Sequence, residues 1–325
     1  MAQMNMVEAI RHTLASEMER DERVIVLGLD VGALGGVFRA SSGLLERFGE
    51  RRVINTPLAE GAIVGASLGL AVSGLIPVPE IQFLGFTHQA FHQIGPQLGR
   101  YRYRSRGRFN TQVTIRAPFG GGVRTPEFHA DAIEAQLAQA PGVKIVCPSN
   151  PYDAKGLLLE AIRDPDPVLF LEPQRLYRKG RAEVPEDEFT IPFGQAKLVR
   201  DGTNVTLIAW SAAVELCLEA AERLQGQGIS AAVLDLRTLV PLDVEGIVKA
   251  VQATGRCVIV HEAARTGGFG AEVIATIQEE TFYSLDAPIA RVTGHDTPYP
   301  PGALEDLFLP SIPRIVDAVR RTVQS

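Results

Sequence analysis

The sequence predicts an α/β fold in two domains. Short apolar runs alternate with helical patterns twice along the 325 residues, first over 24–171 and again over 205–292. A charged, proline-containing stretch around 181–188 separates the two series. Alternation of this kind is typical of mainly parallel sheets covered by helices. We therefore predict an N-terminal parallel-sheet domain over 1–182, a linker over 183–202 and a smaller C-terminal α/β domain over 203–325.

Strands of the first domain are predicted where short apolar runs end in glycine, proline or a polar residue. Helices are predicted where apolar residues recur at helical spacing, as Val7, Ile10, Leu14 and Met18 do. In order, the predicted elements are helix 6–19, strand 24–28, helix 43–48, strand 52–54, helix 62–71, extended segment 76–81, helix 87–101, strand 113–116, strand 144–147, helix 151–163 and strand 168–171. Within helix 87–101, Gly95-Pro96 marks a possible break.

The second domain repeats the alternation over a shorter stretch. In order, its predicted elements are strand 205–210, helix 212–225, strand 231–236, helix 244–253, strand 257–260, helix 270–280 and strand 289–292. No short-period repeat and no low-complexity tract interrupts either domain.

Composition is that of a globular protein, with 46% apolar residues, 22% charged residues and a net charge of −6. Nucleic acids and anionic membranes favour a basic surface, so neither is an expected partner. The N-terminus lacks a signal-peptide pattern, and no apolar run has the length that a membrane helix needs. Cys147, Cys217 and Cys257 lie far apart in apolar runs, which predicts buried free thiols and a cytoplasmic location.

Familiar signatures for nucleotide binding and nucleophilic catalysis are missing. The chain has no GxxxxGK(S/T), no GxGxxG at a strand–helix turn and no GxSxG. The segment Thr266–Gly270 is rich in glycine, but its spacing predicts only a loop that leads into a helix. His88 and His92 stand four residues apart, yet no third ligand has suitable local spacing for a metal.

Glu60 stands at the start of a helix made almost wholly of small and apolar residues. Gly61, Gly65 and Gly69 lie on it at four-residue spacing, so one face lacks side chains. Glycine inside a helix costs roughly 1 kcal/mol relative to alanine, and close approach of another backbone offsets that cost. The approaching backbone belongs either to the same domain or to a second subunit. Glu60 itself is either an acid that favours the helix dipole or a catalytic carboxylate.

Two further segments are candidates for a functional site. Residues 80–86 combine aromatic side chains, an amide and a glycine after an extended segment; they form either a ring-stacking wall or ordinary core. Residues 120–131 form a long polar loop with three consecutive glycines and His129 near its end. Long loops in compact domains are often functional, and a histidine there either transfers protons or is simply solvated.

Several motifs, taken in order, resemble one known family across the chain. They are Asp30–Gly32, Gly35–Phe38, Thr56–Glu60, Pro79–Phe83, Gly120–Val123, Pro151–Leu157, Ala161–Asp164, Asp235–Thr238 and Asp296–Pro300. In these residues the sequence resembles the β chains of the thiamine-diphosphate-dependent first component of 2-oxo acid dehydrogenase complexes, most nearly the bacterial pyruvate dehydrogenase type. The resemblance implies a pyrimidine-binding transketolase-like domain followed by a C-terminal transketolase-like domain.

The resemblance also implies roles for individual residues. Glu60 would hydrogen-bond the pyrimidine ring nitrogen of thiamine diphosphate, and Phe86 would stack on that ring. Leu58 and Gln82 would line the same pocket. His129 would be a proton donor near the lipoyl sulfur of the second component.

Partners follow from the same resemblance. An α subunit would complete an α2β2 heterotetramer and would hold the diphosphate and Mg²⁺, because the family's Gly-Asp-Gly motif is not in this chain. The C-terminal domain would dock the peripheral subunit-binding domain of the dihydrolipoyl acyltransferase, near Arg314–Ser325, and the lipoyl domain would visit the active site. A structural K⁺ would be held largely by backbone carbonyls at four positions: Val113, Ala161, Asp164 and Asp166.

One departure and two alternatives remain. Leu29 stands where the family commonly has an acid, which puts communication between the two active sites in doubt. Pyruvate is the expected 2-oxo acid, but a branched-chain 2-oxo acid or acetoin dehydrogenase β subunit fits the same motifs. A non-catalytic scaffold with the same fold is the alternative from a different functional class.

Overall fold

The computed structural model describes all 325 residues, and it confirms the predicted α/β class. Its strands are β1 (Ala2–Met4), β2 (Val24–Gly28), β3 (Val53–Asn55), β4 (Ile76–Glu80), β5 (Thr114–Phe119), β6 (Lys144–Val146), β7 (Val168–Pro173), β8 (Ala182–Val184), β9 (Lys197–Arg200), β10 (Val205–Ala209), β11 (Ala231–Asp235), β12 (Thr238–Val240), β13 (Cys257–Val260) and β14 (Ala290–Val292).

The α-helices are α1 (Met6–Arg20), α2 (Leu44–Phe48), α3 (Glu60–Val72), α4 (Arg100–Arg104), α5 (Glu134–Ala138), α6 (Pro151–Arg163), α7 (Ala213–Gln225), α8 (Val244–Thr254), α9 (Gly270–Thr281), α10 (Glu305–Phe308) and α11 (Ile312–Gln324). None of them combines the length and the apolar character that crossing a membrane requires.

The larger sheet has seven strands in the order β12-β6-β7-β5-β4-β2-β3. All neighbours are parallel except β12, which pairs antiparallel with β6. Helices α1 and α6 cover one face, where Ile10, Leu14 and Leu158 are wholly buried in one apolar cluster. Buried side chains of α3 belong to the cluster on the other face.

The smaller sheet has five strands in the order β14-β13-β10-β11-β9, parallel except for β9. Helices α7 and α11 bury Leu216, Ala220 and Val319 against one face. On the other side, Trp210, Ile247 and Phe269 belong to the same apolar cluster as Ile94 and Ile115 of the larger sheet. The two halves therefore share one continuous core.

The segment predicted as a linker, 183–202, contains regular structure at both ends. Val184 in β8 pairs with Ala2, and β9 forms the edge of the smaller sheet beside β11. Strand β9 is half-exposed, so it lacks the apolar run that identified the central strands. The linker and the domain limits at 182 and 203 stay predictions. Strand β12, from the second half of the chain, joins the edge of the larger sheet.

The structure corrects the predicted helix over 87–101. The chain instead forms a 3₁₀ helix at Leu84–Ala90, a wide π-helical stretch at Gln93–Gly99 and then α4. Pro96 lies inside the π-helical stretch, where it has no backbone N–H to donate to a regular α-helical ladder. The interruption of the α-helix therefore includes Gly95-Pro96, where the sequence predicted a possible break.

The prediction for the cysteines is confirmed, since all three are buried and free. Burial raises the pKa of all three thiols, which keeps them in the neutral form.

Candidate active site at the carboxyl edge of the larger sheet

Four neighbouring strands bring the predicted site residues to one edge of the sheet. Strands β5, β4, β2 and β3 are adjacent and parallel, so their carboxyl ends share an edge. Leu58 and Glu60 follow β3, Gln82 and Phe86 follow β4, and His129 follows β5. After β2 the chain continues to β3, on one side of the β2–β4 pair. After β4 it continues to β5, on the other side of that pair. Open α/β sheets bind ligands in the crevice that such a reversal creates.

Glu60 is the first residue of α3 and is only 4% exposed. Its carboxylate has no hydrogen-bond or ion-pair partner within the chain. Gly61, the next residue, lies against the 3₁₀ helix that carries Phe86, since a Cβ on Gly61 would be 3.2 Å from the Gln89 carbonyl oxygen. The side chain is therefore almost wholly shielded from water, while its carboxylate is free to accept from a donor outside the chain.

Phe86 and His129 form part of an aromatic cluster around Phe83. The His129 ring centroid is 4.5 Å from that of Phe83 and 5.2 Å from that of Phe86, both in edge-on geometry. Phe83 is buried, whereas Phe86 and His129 are each half-buried. Phe86 and His129 therefore each keep part of the ring accessible to a ligand. The two predicted residues lie side by side in the structure.

Gln82 bridges the crevice between β2 and β4. Its amide nitrogen lies 3.4 Å from a carboxylate oxygen of Asp30, the residue that follows Leu29 after β2. Asp30 has a left-handed backbone with φ of 60°, which is uncommon for a residue other than glycine. Leu58 is 65% exposed, so it is an open wall of this edge and not part of the core.

A buried ionic network beneath the crevice was not predicted from the sequence. Arg116 of β5 is wholly buried and donates to Glu80 at 2.8 Å and to Glu172 at 2.7 and 3.0 Å. Tyr177 donates to Glu172 at 2.5 Å. Burial raises the pKa of Glu80, even though the Arg116 charge beside it acts in the opposite direction. The sequence did contain a sign of this network, because each of the three apolar strands β4, β5 and β7 carries one charged residue.

Two other sequence candidates lie outside this site. His88 and His92 are both exposed on the protein surface, and no cluster of three or more His, Cys, Asp or Glu side chains is arranged to hold a metal ion. The glycine-rich segment at 266–270 leads into α9, and side chains on Gly268 and Gly270 would overlap the buried ring of His261. Its glycines therefore serve packing.

Comparison with known proteins identifies the family. Residues 2–179 match the transketolase pyrimidine binding domain, and residues 194–315 match the transketolase C-terminal domain. Over 324 residues the chain is 50% identical to the pyruvate dehydrogenase E1 component subunit beta of Bacillus subtilis and 51% identical to that of Staphylococcus epidermidis, with 100% of each chain covered. The chain belongs to this β-subunit family. Membership implies dependence on thiamine diphosphate.

Solved structures show the same fold at low sequence identity. A split-gene transketolase, described as an inactive β4 tetramer, superposes with a TM-score of 0.81 at 24% identity over 99% of both chains. The Pichia stipitis transketolase superposes with a TM-score of 0.71 at 15% identity. The match covers 100% of this chain and 46% of the transketolase chain. Both confirm the transketolase-like fold of the β subunit.

The four positions predicted for K⁺ meet at the start of β5. The Val113 carbonyl accepts from the Val168 N–H at 2.9 Å, and the Ala161 carbonyl accepts from the Thr114 hydroxyl at 2.9 Å. The Asp164 carboxylate binds Lys144 at 2.6 Å and the Asp166 N–H at 2.9 Å. These residues are neighbours in the β subunit, but a cation at this place stays a prediction.

Proposed function

We propose that this chain is the β subunit of an acetyl-transferring pyruvate dehydrogenase. With an α subunit, in an α2β2 heterotetramer, it would decarboxylate pyruvate and transfer the acyl group to the lipoyl group of a dihydrolipoyl acyltransferase. Full-length relatives at 50–51% identity that carry the pyruvate dehydrogenase name support pyruvate over other 2-oxo acids. The observation that carries the proposal is Glu60, a residue only 4% exposed whose carboxylate has no partner within the chain, beside the 3₁₀ helix that carries Phe86.

The residues of the crevice fit the aminopyrimidine half of thiamine diphosphate. Glu60 would accept a hydrogen bond from the protonated ring nitrogen, the half-buried Phe86 would stack on the ring, and Gln82 and Leu58 would line its edge. When bound, the cofactor supplies the carbon nucleophile and takes up the electrons released with CO₂. Glu60 holds a proton at the ring nitrogen in a site largely shielded from water, where such a bond is strong.

His129 is the proposed proton donor for acyl transfer. Its Nδ1 lies 2.8 Å from the Glu127 carbonyl oxygen. Because a carbonyl only accepts, Nδ1 carries the hydrogen. Nε2 is then the atom that exchanges a proton with the lipoyl sulfur.

The α subunit would supply what this chain lacks. It would hold the diphosphate and Mg²⁺, since no Gly-Asp-Gly motif occurs here. We further propose a structural K⁺ at Val113, Ala161, Asp164 and Asp166, and docking of the peripheral subunit-binding domain on the C-terminal domain. The half-buried Leu29, beside Asp30, stands where the family resemblance places an acid, so any contribution of that acid to communication between the two active sites would be missing.

The test is Glu60→Gln in the α/β complex, with the exposed Glu22→Gln as a matched control. Loss of the ring-nitrogen proton acceptor should reduce pyruvate decarboxylation by two orders of magnitude or more, as removal of a key electrostatic group does. Gel filtration should show the same complex for both variants. Turnover by Glu60→Gln equal to that of Glu22→Gln would exclude the catalytic role.

Substrate choice is tested separately with the purified complex. Pyruvate should give a kcat/KM at least tenfold above those of branched-chain 2-oxo acids and acetoin. A preference for a branched-chain acid or for acetoin would retain the family and overturn the substrate. No turnover with any of these would support the scaffold alternative.

A further inference from the structure

The loop that carries His129 is held at both of its ends by one side chain. The Gln174 amide nitrogen donates to the Gly120 carbonyl at 2.5 Å and to the His129 carbonyl at 2.6 Å. Gln174 begins the 3₁₀ helix that follows β7, a strand of the same sheet as the rest of the site. These bonds close the ends of the loop. In its middle, 122–128, Gly122 packs against Arg175 and the Phe128 carbonyl packs against Gly85, but no hydrogen bond from elsewhere in the N-terminal half reaches the segment.

The middle of the loop rests on the C-terminal half of the chain. The Arg124 N–H donates to both carboxylate oxygens of Glu305 at 3.2 Å, and the Arg124 guanidinium reaches the Gly302 carbonyl at 2.5 Å and Asp306 at 2.8 Å. Nearer the start of the loop, the Gly121 N–H donates to Glu262 at 2.8 Å. Contacts with two separate segments of the C-terminal half therefore set the course of this loop.

Backbone geometry shows why the loop needs such support. Arg124 has φ of 56° and Phe128 has φ of 69°, both in the left-handed region, and Gly120 and Gly122 are left-handed as well. Left-handed backbone in residues other than glycine persists only where the surroundings enforce it. Without its anchors, the segment between Gly122 and Phe128 would relax, and His129 follows Phe128 directly.

Among these anchors, Glu305 is the best placed to fix the loop. It is 1% exposed and also accepts from the Tyr299 hydroxyl at 2.6 Å, so its carboxylate is fixed before it meets the Arg124 N–H. By contrast, the Arg124–Asp306 ion pair has side chains that are 57% and 75% exposed. Exposed pairs of this kind contribute little, whereas the Arg124 N–H donates to a carboxylate that is buried and therefore less screened by solvent.

We propose that Glu305, held by Tyr299, is a positioning residue for His129. By fixing the backbone of Arg124, Glu305 keeps Arg124 and Phe128 in the left-handed conformation. It thereby holds the His129 ring against Phe83 and Phe86. The C-terminal half thus contributes to acyl transfer without touching the substrate. This inference rests on the proposed function, because it assigns Glu305 to the step in which His129 acts.

The experiment uses the complex with the α subunit and compares Glu305→Ala with its neighbour Asp306→Ala. Three quantities are measured: decarboxylation with an artificial electron acceptor, acylation of a lipoyl domain, and amide hydrogen exchange of the peptide covering 120–131. For Glu305→Ala we expect lipoyl acylation to fall at least tenfold, decarboxylation to stay within twofold, and exchange in the loop to accelerate at least tenfold. Asp306→Ala should stay within twofold in all three.

Two conservative variants keep the test decisive if Glu305→Ala fails to fold. Glu305→Gln retains an oxygen that accepts from the Arg124 N–H, so it should restore most of the acylation. Tyr299→Phe removes the hydroxyl that fixes Glu305, so it should lower acylation and raise loop exchange, both to a smaller extent. Unchanged loop exchange in Glu305→Ala and Tyr299→Phe would overturn the proposal, and so would an equal loss of decarboxylation and acylation.

His129→Ala separates this proposal from the one on which it rests. If His129→Ala acylates the lipoyl domain normally, the proposed role of His129 fails, and with it the positioning role of Glu305. If His129→Ala is impaired while Glu305→Ala acylates normally with unchanged loop exchange, only the positioning role fails.

Discussion

Arg116 shows how one residue connects the strands beneath the site. Its guanidinium lies between Glu80 at the end of β4 and Glu172 in β7, and all three side chains are at most 4% exposed. Glu80 also fixes the loop after β2, because a Cβ on Gly36 would lie 2.6 Å from a Glu80 carboxylate oxygen. The network therefore joins three strands and one loop of the crevice through a single cation.

Replacement of Arg116 by leucine should destabilise the chain by about 3–5 kcal/mol. Two carboxylates would remain buried without a cation, which is the costly way to break a buried ion pair. The loss should shrink as the pH falls toward 5, because burial raises the pKa of Glu80, which can then take up a proton. Urea denaturation at pH 8 and pH 5 measures both effects.

Arg102→Leu is the matched control for that comparison. Arg102 pairs with Asp166 on the surface, where its side chain is 47% exposed, so the loss should be within about 1 kcal/mol. Equal losses for the two variants would contradict the role assigned to the buried network.

At the scale of elements, two of the α3 glycines pack within their own domain, whereas contact of α3 with a second subunit stays a prediction. Gly61 and Gly65 face the 3₁₀ and π-helical segments of their own domain, since Cβ atoms there would lie 3.2 Å from the Gln89 carbonyl oxygen and 3.6 Å from Gln93. Gly69 has no atom within 4 Å of such a Cβ. With Ala62 and Ala66 it forms an exposed strip of small residues on the helix that begins at Glu60.

If the α subunit covers this strip, Ala66→Leu should weaken association at least tenfold. Leucine is a good helix former, so the free energy of unfolding of the chain alone should change by about 0.5 kcal/mol or less. Sedimentation or gel filtration with the α subunit measures association, and Ala271→Leu at an exposed position of α9 is the control. Association unchanged by Ala66→Leu would place the subunit contact elsewhere.

Central elements could be predicted from the sequence, whereas edge elements could not. Strands β2 and β13 and helix α6 have the predicted limits, because each carries a clear apolar pattern or a cap such as Asn150 before Pro151. Strands β1, β8, β9 and β12 are short and pair at edges, where partners outside the local sequence decide the structure. Local patterns carry no information on such pairing.

The same distinction holds for the candidate site. Glu60, Gln82, Phe86 and His129 were predicted from motifs, and strand order explains why they meet. Glu305, Tyr299 and Gln174 were not, because they lie 45 or more positions from His129. Glu305 and Gln174 bond to backbone groups of its loop, and Tyr299 bonds to Glu305. Only the three-dimensional contact shows that a carboxylate near the C-terminus of the chain supports this loop.

At the scale of the whole molecule, two buried acids lie where the two halves of the chain meet. Glu134 of α5 accepts from the Trp210 ring N–H at 3.3 Å, and Asp235 of β11 accepts from the Ser149 hydroxyl at 2.5 Å. Burial raises the pKa of each acid to about 7. Both are therefore protonated in the folded chain under mildly acidic conditions, where the unfolded chain has already released the protons.

This arrangement predicts that stability falls as the pH rises from about 5 to about 7. A group whose pKa is raised by folding stabilises fully below its unfolded pKa, and that contribution disappears as the pH passes the folded value. Each acid contributes a slope of about 1.4 kcal/mol per pH unit in this window. His261 has the opposite effect on stability. Burial lowers its pKa to about 3, so the folded chain loses stability as the pH falls below 6.5, where the unfolded chain takes up a proton on this histidine.

Removing the two acids isolates their effect. The double variant Glu134→Gln/Asp235→Asn is unfolded in urea at several pH values between 5 and 7. Its free energy of unfolding should fall less steeply with pH than that of the wild type, or rise where the effect of His261 is the larger. Both substitutions keep an oxygen that accepts from Trp210 or from Ser149, so packing where the halves meet is retained. Parallel pH profiles for wild type and double variant would mean that these carboxyl groups ionise normally and that the shared core, not their protonation, sets how the two halves hold together.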